Sequence, residues 1–591
     1  MRRVAVIDKE LCKPKKCNFL CANVCPKNRS GEDCITLDEI TNFPLIDEDV
    51  CIACGICVKK CPFKAIKIVN LPSQLKEKPI HRFGKNQFVL FRLPYPVENQ
   101  VVGLIGSNGL GKTTSLLILS GQIKPNLGEP GKKFELSELT SIFRGTELQN
   151  YLEKLSEEEI RVSFKPQRVD LIPSKYSGKI SKLLDKTDER GLLNELIERL
   201  RLEGLLERKI NEISGGELQR VAIAACLARD ADIYYFDEPT SFLDVFQRLE
   251  VSKAIREFCE KKSVMVADHD LATLDFLADR VHIFYGSPSV YGIVSLPLSV
   301  RVGINAFLDG YIKEENVRIR EEPLKFDFSF TRISDLKSVL ISFEGLKKKL
   351  GSFELKIKEG KVYQKEVLGI LGANALGKTT FARILAGELK LEAGKLEGKV
   401  KISYKPQYPR TEFEGTVEEL LRSFKKEFSS SYQAEILRPL QIDKLLLRKV
   451  KKLSGGELQR VAITITLSKE ADVYLLDEPS AFLDVEMRVS LAKMIRRLVE
   501  KRECSVMVID HDLLFLSQIA DRGMVFLGEP GKFGYSEGPC ELEDAFNSFL
   551  KEVGVTFRSD PQTGRPRANK LNSKLDKEQK ERGKYFMGKL R

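Results

Sequence analysis

The chain lacks any long hydrophobic run: no uninterrupted apolar stretch in its 591 residues approaches the roughly 18–20 that a membrane-spanning helix needs. It also lacks the apolar core of a secretory leader, because Met-Arg-Arg-Val-Ala-Val-Ile-Asp-Lys turns charged and then cysteine-rich within a few residues. These absences point to a soluble, cytoplasmic protein without a membrane partner. Cysteine is scarce beyond residue 61, where four of the thirteen lie, and disulfides are not expected in that compartment. Nothing in the chain looks like a flavin or haem partner domain. What remains is ordinary globular composition, 42% hydrophobic and 30% charged, long enough for three or four domains.

The other nine cysteines crowd the first 61 residues. Cys51-Ile-Ala-Cys54-Gly-Ile-Cys57-Val-Lys-Lys-Cys61-Pro62 is the C-x₂-C-x₂-C-x₃-C-P run of bacterial-type ferredoxins. Cys12, Cys17, Cys21 and Cys25, the last followed by Pro26, form a looser version. In such runs three thiolates hold one [4Fe–4S] cube and the fourth reaches the other. Cys51, Cys54 and Cys57 therefore pair with Cys25, and Cys12, Cys17 and Cys21 with Cys61, leaving Cys34 over. Zinc is the alternative for so many thiols, but it usually takes two separated C-x₂-C pairs. Whether such clusters carry electrons or act as a rigid structural part stays open on the residues alone.

One motif set occurs twice in the same order. The first copy reads Gly106-Ser-Asn-Gly-Leu-Gly-Lys112-Thr113, Lys-Pro-Gln167, Ser214-Gly-Gly-Glu-Leu-Gln-Arg, Phe236-Asp-Glu-Pro, Leu243-Asp and Asp268-His269-Asp. The second reads Gly372-Ala-Asn-Ala-Leu-Gly-Lys378-Thr379, Lys-Pro-Gln407, Ser454-Gly-Gly-Glu-Leu-Gln-Arg, Leu476-Asp-Glu-Pro, Leu483-Asp and Asp510-His511-Asp. Gln167 to Ser214 and Gln407 to Ser454 both span 47 residues, and each serine precedes its aspartate, Asp237 or Asp477, by 23. A repeat of this size means two homologous domains.

Each glycine-rich segment follows an apolar strand-like run and precedes a helical one, the context a P-loop requires. The loops Gly106, Asn108, Gly109, Gly111 and Gly372, Asn374, Gly377 would cradle phosphates with their backbone N–H groups. Lys112 and Lys378 would reach the β/γ oxygens, with Thr114 and Thr380 in the first helical turn. Thr113 and Thr379 would take Mg²⁺, supported by Asp237 and Asp477 and sensed by Gln167 and Gln407. Glu238 and Glu478 are the candidate catalytic groups that polarise the attacking water, and His269 and His511 are placed for the γ-phosphate. Ala375 stands where the first copy has Gly109. Phe83 is the candidate for stacking adenine in the first copy; Phe353 offers no trusted counterpart, and core packing is the favoured reading of both.

The two copies resemble the ABC superfamily over residues 76–540. That resemblance implies cassettes docked head to tail, with Lys112 and Ser454 forming one ATP site and Lys378 and Ser214 the other; Gly215, Gly216, Gly455 and Gly456 complete the signatures. The first copy is longer by about 26 residues between lysine and glutamine, near 128–160, and 135–160 reads as a helix, a turn and a second helix. Between the cassettes, Tyr285 to Tyr311 looks like an ordered hinge. Net charge is +12, and residues 561–591 hold ten Lys/Arg against three Asp/Glu. Such a tail either meets a polyanion or is a solvated, partly disordered end.

This order closely resembles the ABC E subfamily, the ribosome-recycling ATPases also called RNase L inhibitor proteins, and the archaeal branch suits the compact, basic chain. The resemblance implies a multidomain α/β fold: a ferredoxin-like domain with two [4Fe–4S] clusters followed by two P-loop ABC-type nucleotide-binding domains. The expected boundaries are 1–75, 76–287, a hinge at 288–330, 331–535, and a C-terminal hinge and basic tail at 536–591. It implies an ATPase that splits ribosomes with a release factor or Pelota-like factor, stays on the small subunit until hydrolysis, and meets rRNA through the inserted helices, Arg301 and the tail. Initiation factors are a further implied partner class, and a monomer the implied state. Three rivals remain: a transporter ATPase gives no reason for eight cluster-type cysteines; a coiled-coil repair ATPase finds no room in the 102 residues from Lys112 to Ser214; a redox ATPase needs a dedicated electron donor.

Overall fold

The first and last strands of the cysteine module, Arg3–Ile7 and Ile66–Asn70, pair antiparallel, Arg3 opposite Asn70 and Ile7 opposite Ile66. They belong to a computed structural model that describes residues 3–39, 41–72, 75, 77–135, 138, 140, 143–145, 147–157, 159–324, 338–407, 412–570 and 572–587. Between the paired strands lie the short helices Pro14–Cys17, Leu20–Asn23, Pro26–Arg29 and Ile56–Lys60. Pro14 and Pro26 open two of them, where a missing N–H costs nothing. Helices this short have no stability of their own. The core that should hold them is meagre in hydrocarbon: buried Cys21, Cys25, Cys34, Cys51 and Cys57 stand among Ala5, Ile7, Ala22, Ile35, Ile46 and Ile66. A module this small needs staples beyond apolar burial.

The chain packs as two units, residues 1–239 with 253–269 and 277–323, and residues 240–252 with 270–276 and 324–591. In the first unit the cysteine module is tied to the segment that follows it. Asn86 brackets Ile46, accepting from its N–H at 2.7 Å and donating to its carbonyl at 2.9 Å. Arg82 is ion-paired with Glu48, whose Oε1 also accepts the Ala5 N–H at 2.8 Å.

The first cassette is built on parallel strands in the spatial order Val162–Lys165, Ile233–Asp237, Ser263–Ala267, Val101–Ile105 and Arg280–Ser287. Three of these are buried at every residue, as parallel strands covered on both faces must be. The second unit repeats the order with Ile402–Lys405, Val473–Asp477, Ser505–Ile509, Val367–Gly372 and Arg522–Glu529. Parallel strands end on one edge of the sheet. That edge therefore receives Gly106, Gln167, Asp237, Glu238 and His269 in the first copy and their counterparts in the second.

The segment after Ile283 is ordered: Tyr291–Val294 pairs antiparallel with Phe284–Ser287, and the helix Val300–Asp309 follows. The described part of the basic tail is folded, although Lys570, Lys574, Lys577, Arg582 and Lys584 remain exposed. Phe557–Ser559, Pro566–Ala568 and Phe586–Met587 form a small sheet, with the helix Lys574–Glu581 between. Two of its charges are internal: Arg565 and Arg567 bind Asp275 at 3.2 and 2.6 Å. Of the two expected inserted helices, Glu147–Ser156 is present, anchored by Tyr151, whose hydroxyl lies 2.6 Å from both Leu119 O and Tyr235 Oη. The first helix falls largely on residues outside those described. Among the described residues no helix is long and apolar enough to cross a membrane.

Candidate functional site

The glycine-rich loops leave their strands at Gly106 and Gly372. A Cβ there would lie 2.6 Å from the carbonyl oxygen of Phe284 or Phe526, so only glycine lets the loop pass. Lys112 Nζ donates to Gly106 O at 2.7 Å and Ser107 O at 3.1 Å; Lys378 Nζ reaches Gly372 O at 2.9 Å and Ala373 O at 2.6 Å. Burial pushes the Lys378 ammonium below its ordinary value. Ala375 takes the same left-handed backbone as Gly109, φ 61° against 78°.

The metal reading of the threonines and aspartates has a geometric counterpart. Thr379 Oγ1 donates to Asp477 Oδ2 at 2.7 Å, and the Thr113 hydroxyl bonds Asp237 in the same way. Asp237 Oδ2 and Asp477 Oδ1 are buried with no hydrogen-bond partner. A carboxylate oxygen left bare beside a hydroxyl suits a hard divalent cation. Burial pushes Asp237 up to about 6, with Glu238 adding to the effect, and burial raises Asp477 as well.

On the next residue two side chains converge. Gln167 Nε2 donates to Glu238 Oε1 at 2.7 Å, and His269 Nε2 is 3.4 Å from the same oxygen. Gln407 and His511 repeat this on Glu478 at 2.7 and 3.4 Å. Burial would raise Glu478, but the His511 bond and charge outweigh it and hold the carboxyl down at about 2. The carboxylate after the buried aspartate is thus held by a glutamine and faced by a histidine in both copies.

The signature serines cap helices. Ser214 Oγ accepts the Glu217 N–H at 3.3 Å while Glu217 Oε2 accepts the Ser214 N–H at 2.7 Å, and Ser454 with Glu457 does the same. This reciprocal box leaves the N-termini of Gly215–Leu227 and Gly455–Ser468 fixed and positive. Within the second unit, Asp244 Oδ2 accepts the Asn374 N–H of the second phosphate loop at 2.9 Å. Sequence reading had noted Asp244 only as the residue after Leu243.

Phe83 departs from the core reading. It is 51% exposed, with His81 edge-on at 5.0 Å and Phe88 at 6.4 Å. The packing role belongs to Phe88 and Phe353, whose rings lie about 3.1 Å from a Cβ placed on Gly111 or Gly377.

In the cysteine module, Cys25, Cys51, Cys54 and Cys57 line one cavity together with Cys34. Cys12 lies within electrostatic reach of Cys61 and Cys17, as does Cys21, and burial pushes the thiols of Cys12 and Cys21 up to about 11. Cys34, left over by the spacing, thus shares a cavity with Cys25, Cys51, Cys54 and Cys57. Among the described residues, no three His, Cys, Asp or Glu side chains are grouped as for a single metal ion. N–H groups turn toward the sulfurs, Ala53 to Cys51 at 3.4 Å and Ala65 to Cys61 at 3.5 Å.

Two complete sets of phosphate-loop, carboxylate and signature groups on parallel sheets, joined to a thiol-lined module, define an ABC-type ATPase carrying an iron–sulfur domain. Family models agree: "ABC transporter" matches residues 97–241 and 355–481, "4Fe-4S binding domain" residues 44–67, and the Fer4-like domain in RNase L inhibitor residues 2–33. The chain is 51% identical to an uncharacterised ABC transporter ATP-binding protein of Methanocaldococcus jannaschii, over 99% of this chain and 97% of that one. It is 45% identical to the translation initiation factor RLI1 of Saccharomyces cerevisiae, over 99% and 98%. Among solved structures, ABCE1 described with ribosome-bound archaeal Pelota has TM-score 0.94 at 50% identity, covering 99% of each chain. The archaeal ribosome recycling factor aABCE1, in complex with the ribosomal stalk protein aP1, has TM-score 0.82 at 50% identity, covering 87% of this chain and all of that one. This chain belongs to the ABC E family of RNase L inhibitor proteins.

Proposed function

We propose that this protein is an ATP-driven ribosome recycling factor that separates ribosomal subunits after termination or during rescue. The observation that carries the reading is the union, in one chain of this family, of two sets of hydrolytic groups with a cysteine-lined module. Relatives solved with Pelota and with a ribosomal stalk protein support it. The module takes two [4Fe–4S] clusters, one on Cys12, Cys17, Cys21 and Cys61 and one on Cys25, Cys51, Cys54 and Cys57.

At each site the loop amides and Lys112 or Lys378 bind the phosphates, and the signature residues contact nucleotide. Mg²⁺, held by Thr113, Gln167 and Asp237 or by Thr379, Gln407 and Asp477, supplies charge neutralisation when bound. Glu238 and Glu478 accept a hydrogen bond from the attacking water and orient it, and His269 and His511 steady both the glutamate and the terminal phosphate. Hydrolysis ends a closed state that ATP holds. The partners are a release or Pelota-like factor and the small subunit with its rRNA, in the cytoplasm, with this protein acting as a monomer. Initiation factors are a further partner class, supported by the yeast relative's name.

Density-gradient separation of archaeal ribosomes with the protein, a rescue factor and ATP tests this. Wild type should yield subunits, and Glu238→Gln with Glu478→Gln should remain bound to the small subunit. Failure to bind or split ribosomes under any nucleotide overturns the reading.

A further inference from the structure

Both cassettes bury a lysine that the chemistry above leaves unused. Lys165 and Lys405 end the strands Val162–Lys165 and Ile402–Lys405, and are 1% and 0% exposed. A lysine at a strand end ordinarily extends its ammonium to water. These two turn inward. Lys165 Nζ donates to the carbonyl oxygens of Asp237 at 2.9 Å and Glu238 at 3.0 Å; Lys405 Nζ donates to those of Asp477 at 2.7 Å and Glu478 at 3.5 Å.

The backbone explains why donors are needed. Glu238 and Glu478 have φ of 47° and 48°, the left-handed region that a residue with a side chain rarely adopts without support. This turn comes directly after the strand residue Asp237 or Asp477, and the buried ammonium meets the carbonyls on both sides of it. Lys165 meets both. Gln219 Nε2 adds a bond to Glu238 O at 2.7 Å, and Gln459 Nε2 bonds Glu478 O in the same way. The glutamate N–H groups donate to Ala267 O and Ile509 O, each at 2.8 Å. Each peptide is therefore fixed from three elements: the strand before the glutamine, the signature helix and the neighbouring strand. The side chain that leaves it can meet Gln167 or Gln407 in one orientation.

We propose that Lys165 and Lys405 are positioning residues for ATP hydrolysis, each holding the glutamate after the buried aspartate in its left-handed turn so that the carboxylate points at the attacking water. The inference rests on Glu238 and Glu478 orienting that water. A lysine that served packing alone would have no reason to place its ammonium on these carbonyls in both copies. Held this way, the glutamate loses orientation rather than ATP binding when the lysine is removed.

The test is steady-state ATPase kinetics of the full chain with both lysines changed, Lys165→Met with Lys405→Met and, separately, Lys165→Gln with Lys405→Gln. The methionine pair should lower kcat by about tenfold or more, and the glutamine pair, which keeps an N–H donor, should lower it less. The Kd for a non-hydrolysable ATP analogue should stay within about twofold in both. On a Glu238→Gln, Glu478→Gln background the methionine changes should lower kcat no further. Unchanged kcat in both pairs, affinity falling in step with kcat, or an additive loss on the glutamine background overturns the proposal. If the methionine pair does not fold, the glutamine pair carries the same comparison. Wild-type kcat in Glu238→Gln, Glu478→Gln would instead overturn the role of the glutamates themselves.

Discussion

Ser289 donates its N–H to the carbonyl oxygen of Gly109 at 2.9 Å, and its Oγ lies 3.0 Å from where a Cβ on Gly109 would stand. In the second phosphate loop the roles are exchanged. Ala375 accepts the Gly531 N–H at 3.0 Å, and Gly531 presents no side chain to the alanine methyl. Gly109→Ala should therefore strain the first loop, costing about 1–2 kcal/mol from the left-handed backbone and the contact together. Adding Ser289→Gly should recover the part due to the contact, whereas Ala375→Gly should be tolerated alone. Thermal melting and ATP-analogue titration check all three; equal effects of Gly109→Ala with and without Ser289→Gly would refute the exchange.

His282 makes folding stability depend on pH. It is 1% exposed, Nδ1 donates to Ser295 O at 2.7 Å and Nε2 faces the Tyr95 N–H at 3.4 Å, so a second proton has no acceptor. Burial pushes the imidazole from 6.5 down to about 4. The unfolded chain takes up a proton near 6.5 and the folded chain does not. Stability from this group is thus complete above pH 6.5, falls as pH drops toward 4, and levels off below. The whole span is ~3 kcal/mol for one proton. Urea unfolding of wild type and His282→Gln between pH 7 and 4 should show the two stability curves converging by this amount.

Arg522 and Glu366 form a buried ion pair, Nη1 to Oε1 3.0 Å, with side chains 7% and 0% exposed. The pair is well furnished: Arg522 also donates to Lys361 O and Pro539 O, and Glu366 Oε2 accepts the Tyr363 N–H. Glu366→Ala strands the guanidinium and should cost about 3–5 kcal/mol in chemical denaturation. Glu366→Leu combined with Arg522→Met should cost less than Glu366→Ala, because no uncompensated charge remains. A larger loss in the double variant would mean that the pair itself stabilises the fold.

Removing iron should unfold the cysteine module and spare the cassettes. Five of its buried core residues are cysteines and its helices are four or five residues long, so little apolar area is left to hold it. After chelation under reducing conditions, limited proteolysis should cut before about residue 75, while ATP hydrolysis by the cassettes persists. A stripped module that resists protease would show that hydrocarbon packing suffices.

The hydrolytic edge was legible in the sequence because chemistry is written there as residue type at fixed spacing. Gln167, Asp237, Glu238 and His269 were named from their motifs, and the parallel strands bring them to one edge of the sheet. Lys165 was not, although Lys-Pro-Gln was noted, because nothing in a lysine's identity says that its ammonium turns inward; that depends on the left-handed turn at Glu238. The tail misled for a related reason. Arg565 and Arg567 read as free charge, but their partner Asp275 lies 290 and 292 residues away. Phe83 looked like core because local sequence cannot distinguish it from Phe88, and the choice is made by which ring fits beneath Gly111.

The pairing of Arg3–Ile7 with Ile66–Asn70 sets an order of events during synthesis. The first strand to emerge has no complete partner until the chain has grown to Asn70. On the crossed ligation proposed for the thiols, the cluster begun by Cys12 waits for Cys61, and the one begun by Cys25 waits for Cys51. Neither cube can be completed on a short nascent chain, and both become possible within the same few residues of elongation. The module closes all at once, before either cassette has been made.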